Sequence, residues 1–194
     1  VKVDISSDAQ VKNAVNQVGN KHGHINYLVN RAGIQTYGTA EDTSEELWDR
    51  TFGVNVKAMY LTSKYAIPFM RKAKGGSIVN ISSIHARMSY PNYFPYAAAK
   101  SGILGLTRNL ALDEGKHGIR VNSVLPGFTL TPMVEDYFVM NPEKRSEALS
   151  VQPMGRMAQP IEIAKVITFL LTDDASFVNG ADWVIDGGLS GRFA

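Results

Sequence analysis

The sequence predicts an α/β fold in which helices cover both faces of a parallel β-sheet. Apolar runs alternate with amphipathic helical patterns along the chain, as they do in stacked β–α units. The predicted strands are short and nearly continuous in Val, Ile and Leu, which is typical of parallel strands buried on both faces. The length of 194 residues, with 44% hydrophobic and 20% charged residues, fits a single globular domain spanning 1–194.

Strands and helices alternate through the first part of the chain. Strands are predicted at 1–5 (VKVDI) and 25–30 (INYLVN), with an amphipathic helix at 8–22 between them. Thr43 and Glu46 form a predicted capping box that begins a second helix, whose apolar residues recur at spacings of three and four. That helix is expected to end or kink near Pro68, because proline lacks the N–H that a helix interior requires.

The same alternation continues to the end of the chain. Strands are predicted at 77–82, 120–126 and 182–186, and helices from Tyr96 to Glu114 and from Pro160 onward. Residues 127–155 form a long connection rich in Thr, Pro, Met and aromatic residues. Connections of that length are commonly lids or binding loops, so we expect this one to contribute to a site.

Composition excludes several kinds of function. The 20 Lys and Arg residues nearly balance 18 Asp and Glu residues, so no nucleic-acid partner is expected. The absence of cysteine excludes disulfides, thiolate catalysis and Cys-ligated zinc, and no metal site is expected. The longest apolar runs, such as AKVITFLL, are far shorter than a membrane helix. We therefore expect a cytoplasmic protein with no membrane partner.

Tyr96 and Lys100 are a candidate catalytic pair because a spacing of four places them on one helix face. A phenol has a pKa of about 10 and is a poor base at neutral pH, but a nearby ammonium group lowers that value. A decrease of about three pKa units requires roughly 4 kcal/mol of differential stabilisation. Taken alone, the pair also fits a chance recurrence of Tyr and Lys on a helix.

Two further polar residues strengthen the interpretation. Ser83 follows the strand predicted at 77–82, and the carboxyl ends of parallel strands are where open sheets bind ligands. Asn55 lies within a predicted helix, where asparagine is intrinsically unfavourable, so its side chain needs a backbone group or a water as partner.

In order and spacing, Asn55, Ser83, Tyr96 and Lys100 resemble the catalytic tetrad of classical short-chain dehydrogenases/reductases. Further motifs resemble the same family: LVNRAG (28–33), SIVNISS (77–83), YAAAK (96–100), RVNSVLPG (120–127) with Thr131, and WVIDGG (183–188). The resemblance extends from Val1 to Gly188 and implies a Rossmann-like, doubly wound sheet. It also implies an enzyme that interconverts a secondary alcohol and a ketone with NAD or NADP.

The resemblance implies a role for each residue of the tetrad. Tyr96 would be the acid/base, and Ser83 would orient the same substrate oxygen. Lys100 would bind the nicotinamide ribose and lower the phenol pKa, and Asn55 would hold a water in a proton relay. The implied cofactor contacts are Asp4, Ile5, Asn30, Ala32, Gly33, Tyr96, Lys100, Pro126, Gly127, Thr129 and Thr131.

The sequence departs from the family in three respects. The glycine-rich phosphate loop, G-x-x-x-G-x-G, does not occur, and we expect it to precede Val1 together with the first two β–α units. The sequence is therefore expected to be an N-terminally incomplete copy that lacks the residues selecting NAD or NADP. Arg31 replaces the usual asparagine and is either neutral or a cation that favours a phosphorylated ribose. Thr129 stands where many relatives have Val or Ile.

The predicted substrate pocket is polar and aromatic. Its candidate residues are Ser83, Gln35, His85, Tyr93, Met133, Arg87, Asn92, Glu135, Tyr137 and Phe138. Such a lining suits a sugar, polyol or similar hydroxy compound better than a long acyl chain. His85 either hydrogen-bonds the substrate or caps the loop after Ser83.

Two other functions stay open. A 3-oxoacyl-acyl-carrier-protein reductase would need a basic docking patch, for which Arg71, Lys72 and Lys74 are the candidates. A non-catalytic dinucleotide-binding sensor could use the same fold. The resemblance also implies a homodimer or homotetramer built on the helix after Tyr96, whose small residues Gly102 and Gly105 could alternatively pack on the chain's own sheet.

Overall fold

The computed structural model describes residues 1–192, apart from the side chain of Met133. Its sheet has four parallel strands in the order β1-β2-β3-β4. The strands are β1 (Tyr27–Asn30), β2 (Gly76–Ile81), β3 (Ile119–Pro126) and β4 (Asp182–Ile185). Four of the five predicted strands are therefore confirmed, each within two residues of its predicted ends.

Seven α-helices surround this sheet within the described residues. They are α1 (Asp8–His22), α2 (Glu45–Phe52), α3 (Ala58–Lys72), α4 (Phe94–Glu114), α5 (Pro132–Met140), α6 (Pro142–Ser150) and α7 (Pro160–Leu171). Within residues 1–192, none is both long and apolar enough to cross a bilayer.

Helices cover both faces of the sheet, as predicted. Ile78 and Val79 are neighbours in β2, so their side chains point to opposite faces. Ile78 packs in a cluster with Met70 of α3 and Ala111 of α4. Val79 packs in a second cluster with Leu170 of α7. The two clusters form the two layers of core expected of a doubly wound α/β fold.

The strand predicted at 1–5 does not form in the structure. These residues make no ladder, and the chain turns where the Ser7 amide donates to the Asp4 carbonyl at 3.1 Å. A strand exists only with a hydrogen-bonding neighbour, and within residues 1–192 β1 pairs with β2 alone. The apolar pattern of VKVDI carries no information about whether that neighbour is present.

The helix that follows residue 43 also differs from the prediction. Ser44, not Thr43, is its N-cap and accepts from the Leu47 amide at 3.2 Å, while the Thr43 hydroxyl donates to the Thr39 carbonyl. The helix does not end at Pro68, since α3 continues to Lys72. Pro68 is exposed and its neighbours are buried, so packing outweighs the lost backbone hydrogen bond.

The helical segment is irregular before Pro68, at the point where α2 meets α3. A π-helical turn at Gly53–Lys57 joins α2 to α3 and contains Asn55. Such turns are uncommon and are found mostly at functional sites.

The long connection at 127–155 contains helices α5 and α6. Phe138, Ala148 and Met157 are buried together, with Phe128 and Leu130 packed against them. The segment thus has a small apolar core of its own. Phe138 belongs to this core rather than to the predicted substrate pocket, since its side chain is 8% exposed.

Candidate active site

The candidate site lies where the parallel strands end. The loop after β1 contains Gly33, the loop after β2 contains Ser83, and Gly127 follows β3 directly. Because the carboxyl ends of parallel strands lie at one edge of a sheet, these loops are neighbours in space. Helix α4 brings Tyr96 and Lys100 to the same edge.

Asn55 is fully buried and is bonded to backbone. Its Oδ1 accepts from the Ile34 amide at 3.0 Å, and its Nδ2 donates to the Ile34 carbonyl at 2.9 Å. Of the two partners that the sequence allowed, the structure shows the backbone. The π-helical turn therefore positions an amide that fixes the loop after β1. The relay water stays a prediction.

Lys100 is buried at the junction of that loop with β2. Its Nζ donates to the Ile81 carbonyl at 3.0 Å, and burial lowers its pKa to about 8. Gly33 faces it, because a Cβ built on Gly33 would be 2.8 Å from Asn55 Oδ1 and 3.5 Å from Lys100 Nζ. Ile81 is the only partner of the Lys100 ammonium within residues 1–192, so two of its three N–H donors are free to bind ligand hydroxyls.

Tyr96 lies beside Lys100 without bonding to it. The Lys100 Nζ is 5.6 Å from the Tyr96 ring centroid. Burial raises the pKa of Tyr96, the neighbouring Ser83 hydroxyl acts in the opposite direction, and Tyr37 adds to the rise. Burial thus dominates the pKa of Tyr96, and an effect of Lys100 on that pKa stays a prediction.

Ser83 begins the 3₁₀ turn Ile84–Ala86, and its Oγ accepts from the His85 amide at 3.2 Å. That bond uses an oxygen lone pair and leaves the hydroxyl hydrogen available to a substrate oxygen. The preceding Ser82, which the sequence reasoning missed, donates to the Lys100 carbonyl at 2.8 Å. Ser82 thus ties helix α4 to the end of β2. The doubled serine of SIVNISS was the available signal.

Aromatic rings line one side of the site. His85 stacks on Tyr93 with ring centroids 4.5 Å apart, and it meets Tyr96 edge-on at 5.5 Å. Tyr37 contacts Tyr93 edge-on at 5.0 Å and was also missed, since nothing in its local sequence distinguishes it from other loop tyrosines. Gln35 Nε2 donates to the Tyr93 hydroxyl at 3.2 Å. The structure therefore brings the predicted pocket residues Gln35, His85 and Tyr93 together.

Other predicted pocket residues are engaged elsewhere or are undescribed. Arg87 forms an ion pair with Asp182 of β4 at 3.4 Å. Asn92 has a left-handed backbone (φ 68°), and its carbonyl accepts from the Gly38 amide. Glu135 and Tyr137 are exposed on α5. The side chain of Met133 lies outside the described residues.

The predicted adenosine contacts differ in what they can offer. Asn30 is 6% exposed, accepts from the Thr62 hydroxyl at 2.6 Å and donates to Asn80 at 2.8 Å, which leaves mainly its backbone for a ligand. Ala32 and Arg31 are exposed. Asp4 is exposed and accepts from the Ser6 amide and hydroxyl, which lowers its pKa, while Ile5 is half-buried.

The predicted contacts after β3 form a tight turn. Gly127 packs on Asp186, where a Cβ would come within 2.7 Å of the Asp186 Cβ. The Thr129 hydroxyl donates to the Gly127 carbonyl at 3.1 Å, and Thr131 caps α5 by accepting from Val134. Pro126 is the last residue of β3. A ligand at this turn would therefore contact mainly its backbone.

Comparison with known proteins agrees with the geometry. Residues 1–190 match the family described as enoyl-(acyl carrier protein) reductase. The chain is 41% identical to the 3-oxoacyl-[acyl-carrier-protein] reductase of Thermotoga maritima, covering 96% of this chain and 75% of that protein. It is 38% identical to the meso-2,3-butanediol dehydrogenase of Serratia marcescens, covering 97% of this chain and 73% of that protein.

Solved structures show the same fold. The aldohexose dehydrogenase of Thermoplasma acidophilum superposes with a TM-score of 0.93 at 35% identity, covering 100% of this chain and 78% of that one. ElxO with NADP bound superposes with a TM-score of 0.94 at 30% identity, covering 99% of this chain and 78% of that one. The chain belongs to the short-chain dehydrogenase/reductase family, whose named relatives oxidise or reduce at CH–OH groups.

Proposed function

We propose that the protein is an NAD(P)-dependent oxidoreductase that interconverts a secondary alcohol and a ketone, with Tyr96 as acid/base. The substrate is a sugar, polyol or similar small polar hydroxy compound. The convergence of Ser83, Tyr96 and Lys100 at the carboxyl end of β2 carries this proposal. The cofactor, when bound, supplies or accepts the hydride.

The residues of the chain handle the substrate oxygen and its proton. In the direction of reduction, Tyr96 gives its hydroxyl proton to the carbonyl oxygen while Ser83 donates a hydrogen bond to the same oxygen. The raised pKa of Tyr96 keeps the phenol protonated at neutral pH, which suits a general acid. In the direction of oxidation, the phenolate accepts the hydroxyl proton, so that direction is favoured at alkaline pH.

Lys100 and Asn55 hold the cofactor side of the site. The free donors of Lys100 suit the adjacent hydroxyls of a ribose, and the missing side chain of Gly33 allows the loop after β1 to approach them. Asn55 keeps that loop in register through both polar groups of Ile34. The cofactor is NAD or NADP, and Arg31, exposed on the same loop, would favour a phosphorylated ribose.

The pocket lining favours a small polar substrate. Gln35, His85 and Tyr93 present polar atoms between aromatic rings beside Tyr96. Two similar proteins are named for hydroxy compounds of this kind, a butanediol and an aldohexose. A polyhydroxy ligand could stack a carbon face on the rings and bond their polar edges.

Reduction of an acyl chain carried by a protein is the second candidate, because the relative from Thermotoga maritima is named for it. Its predicted docking patch is unsuitable. The Arg71 guanidinium forms two hydrogen bonds to the Glu114 carboxylate, at 2.9 and 2.6 Å. The patch also lies near the amino end of β2, and a six-residue strand separates it from Ser83 by about 20 Å.

We propose further that the outer face of α4 joins copies of the chain into a homodimer or homotetramer. Gly102 and Gly105 are both exposed, and a Cβ on either would come no nearer than 3.8 Å to another residue. This favours the intermolecular alternative over packing on the chain's own sheet. Leu112, also on α4, is 79% exposed.

The test is a screen of sugars, polyols, small ketones and acyl thioesters with both coenzymes, followed by absorbance of the reduced nicotinamide. We expect Tyr96→Phe in the full-length protein to lower kcat by about 10²–10⁴-fold, because proton transfer is lost. Coenzyme affinity, measured by fluorescence titration, should change little. The matched control is Tyr90→Phe, which removes the hydroxyl of an exposed tyrosine in the same segment.

Turnover by Tyr96→Phe comparable with wild type would remove Tyr96 from the acid/base role. Coenzyme binding by the wild-type protein without turnover of any class would favour the non-catalytic sensor instead.

A further inference from the structure

His85 lies where a substrate bound to Ser83 and Tyr96 would pass. Its ring is stacked on Tyr93 at 4.5 Å and edge-on to Tyr96 at 5.5 Å, and the two tyrosine rings are 6.3 Å apart, so the three rings contact one another. Its backbone amide donates to Ser83 Oγ at 3.2 Å. The imidazole is therefore tied to the serine that would hold the reacting oxygen.

Hydrogen bonding occupies one of the two ring nitrogens of His85. His85 Nδ1 lies 2.9 Å from Ser89 Oγ, and the Ser89 hydroxyl donates to the Tyr90 carbonyl at 3.4 Å. Nδ1 is thus occupied by Ser89 whichever of the two groups donates. Nε2 is the ring nitrogen left for a ligand, as an acceptor or a donor according to the tautomer. Burial lowers the pKa of His85, which favours the neutral ring.

Other polar groups on this side of the site are at least partly engaged. The Tyr93 hydroxyl accepts from Gln35 at 3.2 Å, and burial raises its pKa to about 12. Arg87 is paired with Asp182. Nε2 of His85 has no hydrogen-bond partner within residues 1–192. It is thus a half-buried nitrogen of a neutral ring, free to form a hydrogen bond beside the Tyr96 phenol.

We infer that His85 Nε2 forms a hydrogen bond with a second substrate hydroxyl on the carbon next to the reacting one, which selects 1,2-diols and α-hydroxy ketones. This inference rests on the proposed function and narrows its substrate class. In the proposed complex, Ser83 and Tyr96 bind the reacting oxygen. The His85 ring lies next to both residues, so a hydroxyl on the adjacent carbon can reach it. A monofunctional alcohol leaves Nε2 desolvated without a hydrogen-bond partner, which lowers the relative rate of that alcohol.

The test compares alcohols that differ in one hydroxyl. The full-length protein is assayed with the stereoisomers of butane-2,3-diol, with butan-2-ol, and with butane-1,3-diol, whose second hydroxyl is one carbon farther away. We expect kcat/KM for the best 2,3-diol to exceed that for butan-2-ol by about tenfold, the factor that one hydrogen bond supplies. The 1,3-diol should gain much less.

Three variants separate the effect of His85 Nε2 from that of the aromatic stack. His85→Phe keeps a ring against Tyr93 but removes Nε2, so the diol preference should fall to about twofold or less. His85→Gln replaces the imidazole with an amide that can form a hydrogen bond, and it should recover part of the preference for the diol. Tyr90→Phe is the matched control and should leave the preference unchanged. The wild-type preference is itself a test if a His85 variant fails to fold.

The outcomes are distinguishable. A wild-type protein that oxidises butan-2-ol and the 2,3-diols equally well overturns the role of His85 and leaves the proposed function standing. The same holds if His85→Phe keeps the full diol preference. Binding of coenzyme without oxidation of any alcohol or reduction of any ketone overturns the proposed function and this inference with it.

Discussion

At the scale of single residues, the site contains a buried cation that the fold does not neutralise. Lys100 is 5% exposed, and its only partner in the described chain is a backbone carbonyl. Its pKa falls from the usual 10.5 to about 8, which corresponds to about 3 kcal/mol of lost stability at neutral pH. Native stability is given up here to keep an ammonium group where a ligand can use it.

Lys100→Met should therefore stabilise the protein without coenzyme at pH 7, by about 1–2 kcal/mol. The removed charge penalty of about 3 kcal/mol exceeds the hydrogen bond to Ile81, which is worth about 1 kcal/mol. A lowered lysine pKa penalises the native state fully below about pH 8, and the penalty decreases as pH rises towards 10.5. The gain should thus largely disappear by pH 10.

Urea unfolding of wild type and variant at pH 7 and pH 10 measures this difference. Lys12→Met, which alters an exposed lysine on α1, is the control and should show no such pH dependence. A variant less stable than wild type at pH 7 would contradict the conclusion that the buried charge of Lys100 destabilises the native state.

At the scale of elements, the π-helical turn is what connects the fold to the site. It places Asn55 against the loop after β1, and both polar groups of that amide bond to Ile34. Gly33 lies so close to Asn55 that a side chain there would clash. The loop that carries the predicted cofactor contacts Ala32 and Gly33 is thus held by one buried side chain.

Asn55→Ala should destabilise the protein by about 1–3 kcal/mol, because it leaves the partly buried N–H and C=O of Ile34 without their partners. Chemical denaturation measures the loss. The exposed Asn13, on α1, provides the control. Asn13→Ala should cost less than about 0.5 kcal/mol. Equal losses for the two variants would show that the Ile34 bonds do not fix the loop.

The sequence could predict the elements that depend on local pattern. Buried runs marked β1 to β4, and spacing placed Tyr96 and Lys100 on one helix face. It could not predict the π-helical turn or the partner of Lys100, since both depend on chain segments that meet only in the fold. Residues 1–5 have a strand's composition but no neighbour to pair with. Tyr37 reaches the site through tertiary packing that no local signal records.

At the scale of the whole molecule, α4 has two faces with different tasks. The inner face carries Lys100 and packs against β3 and the core, whereas the outer face exposes Gly102, Gly105 and Leu112. Small residues on an exposed helix allow another helix to approach closely. Association through this face would hold the helix that carries Tyr96 from outside, so the proposed assembly would also support the site.

Gly105→Glu tests this assembly without weakening the fold. Replacing an exposed helical glycine should stabilise the isolated chain by about 0.5–1 kcal/mol, so a loss of assembly cannot be attributed to unfolding. We expect the mass from light scattering after size exclusion to fall to half of the wild-type value or less, because a charged side chain would be buried in the contact. Ala9→Glu, on the exposed side of α1, should leave the mass unchanged. If Gly105→Glu keeps the wild-type mass, the α4 face is not the interface. If the wild-type protein is a monomer at tens of micromolar, the proposed assembly fails altogether.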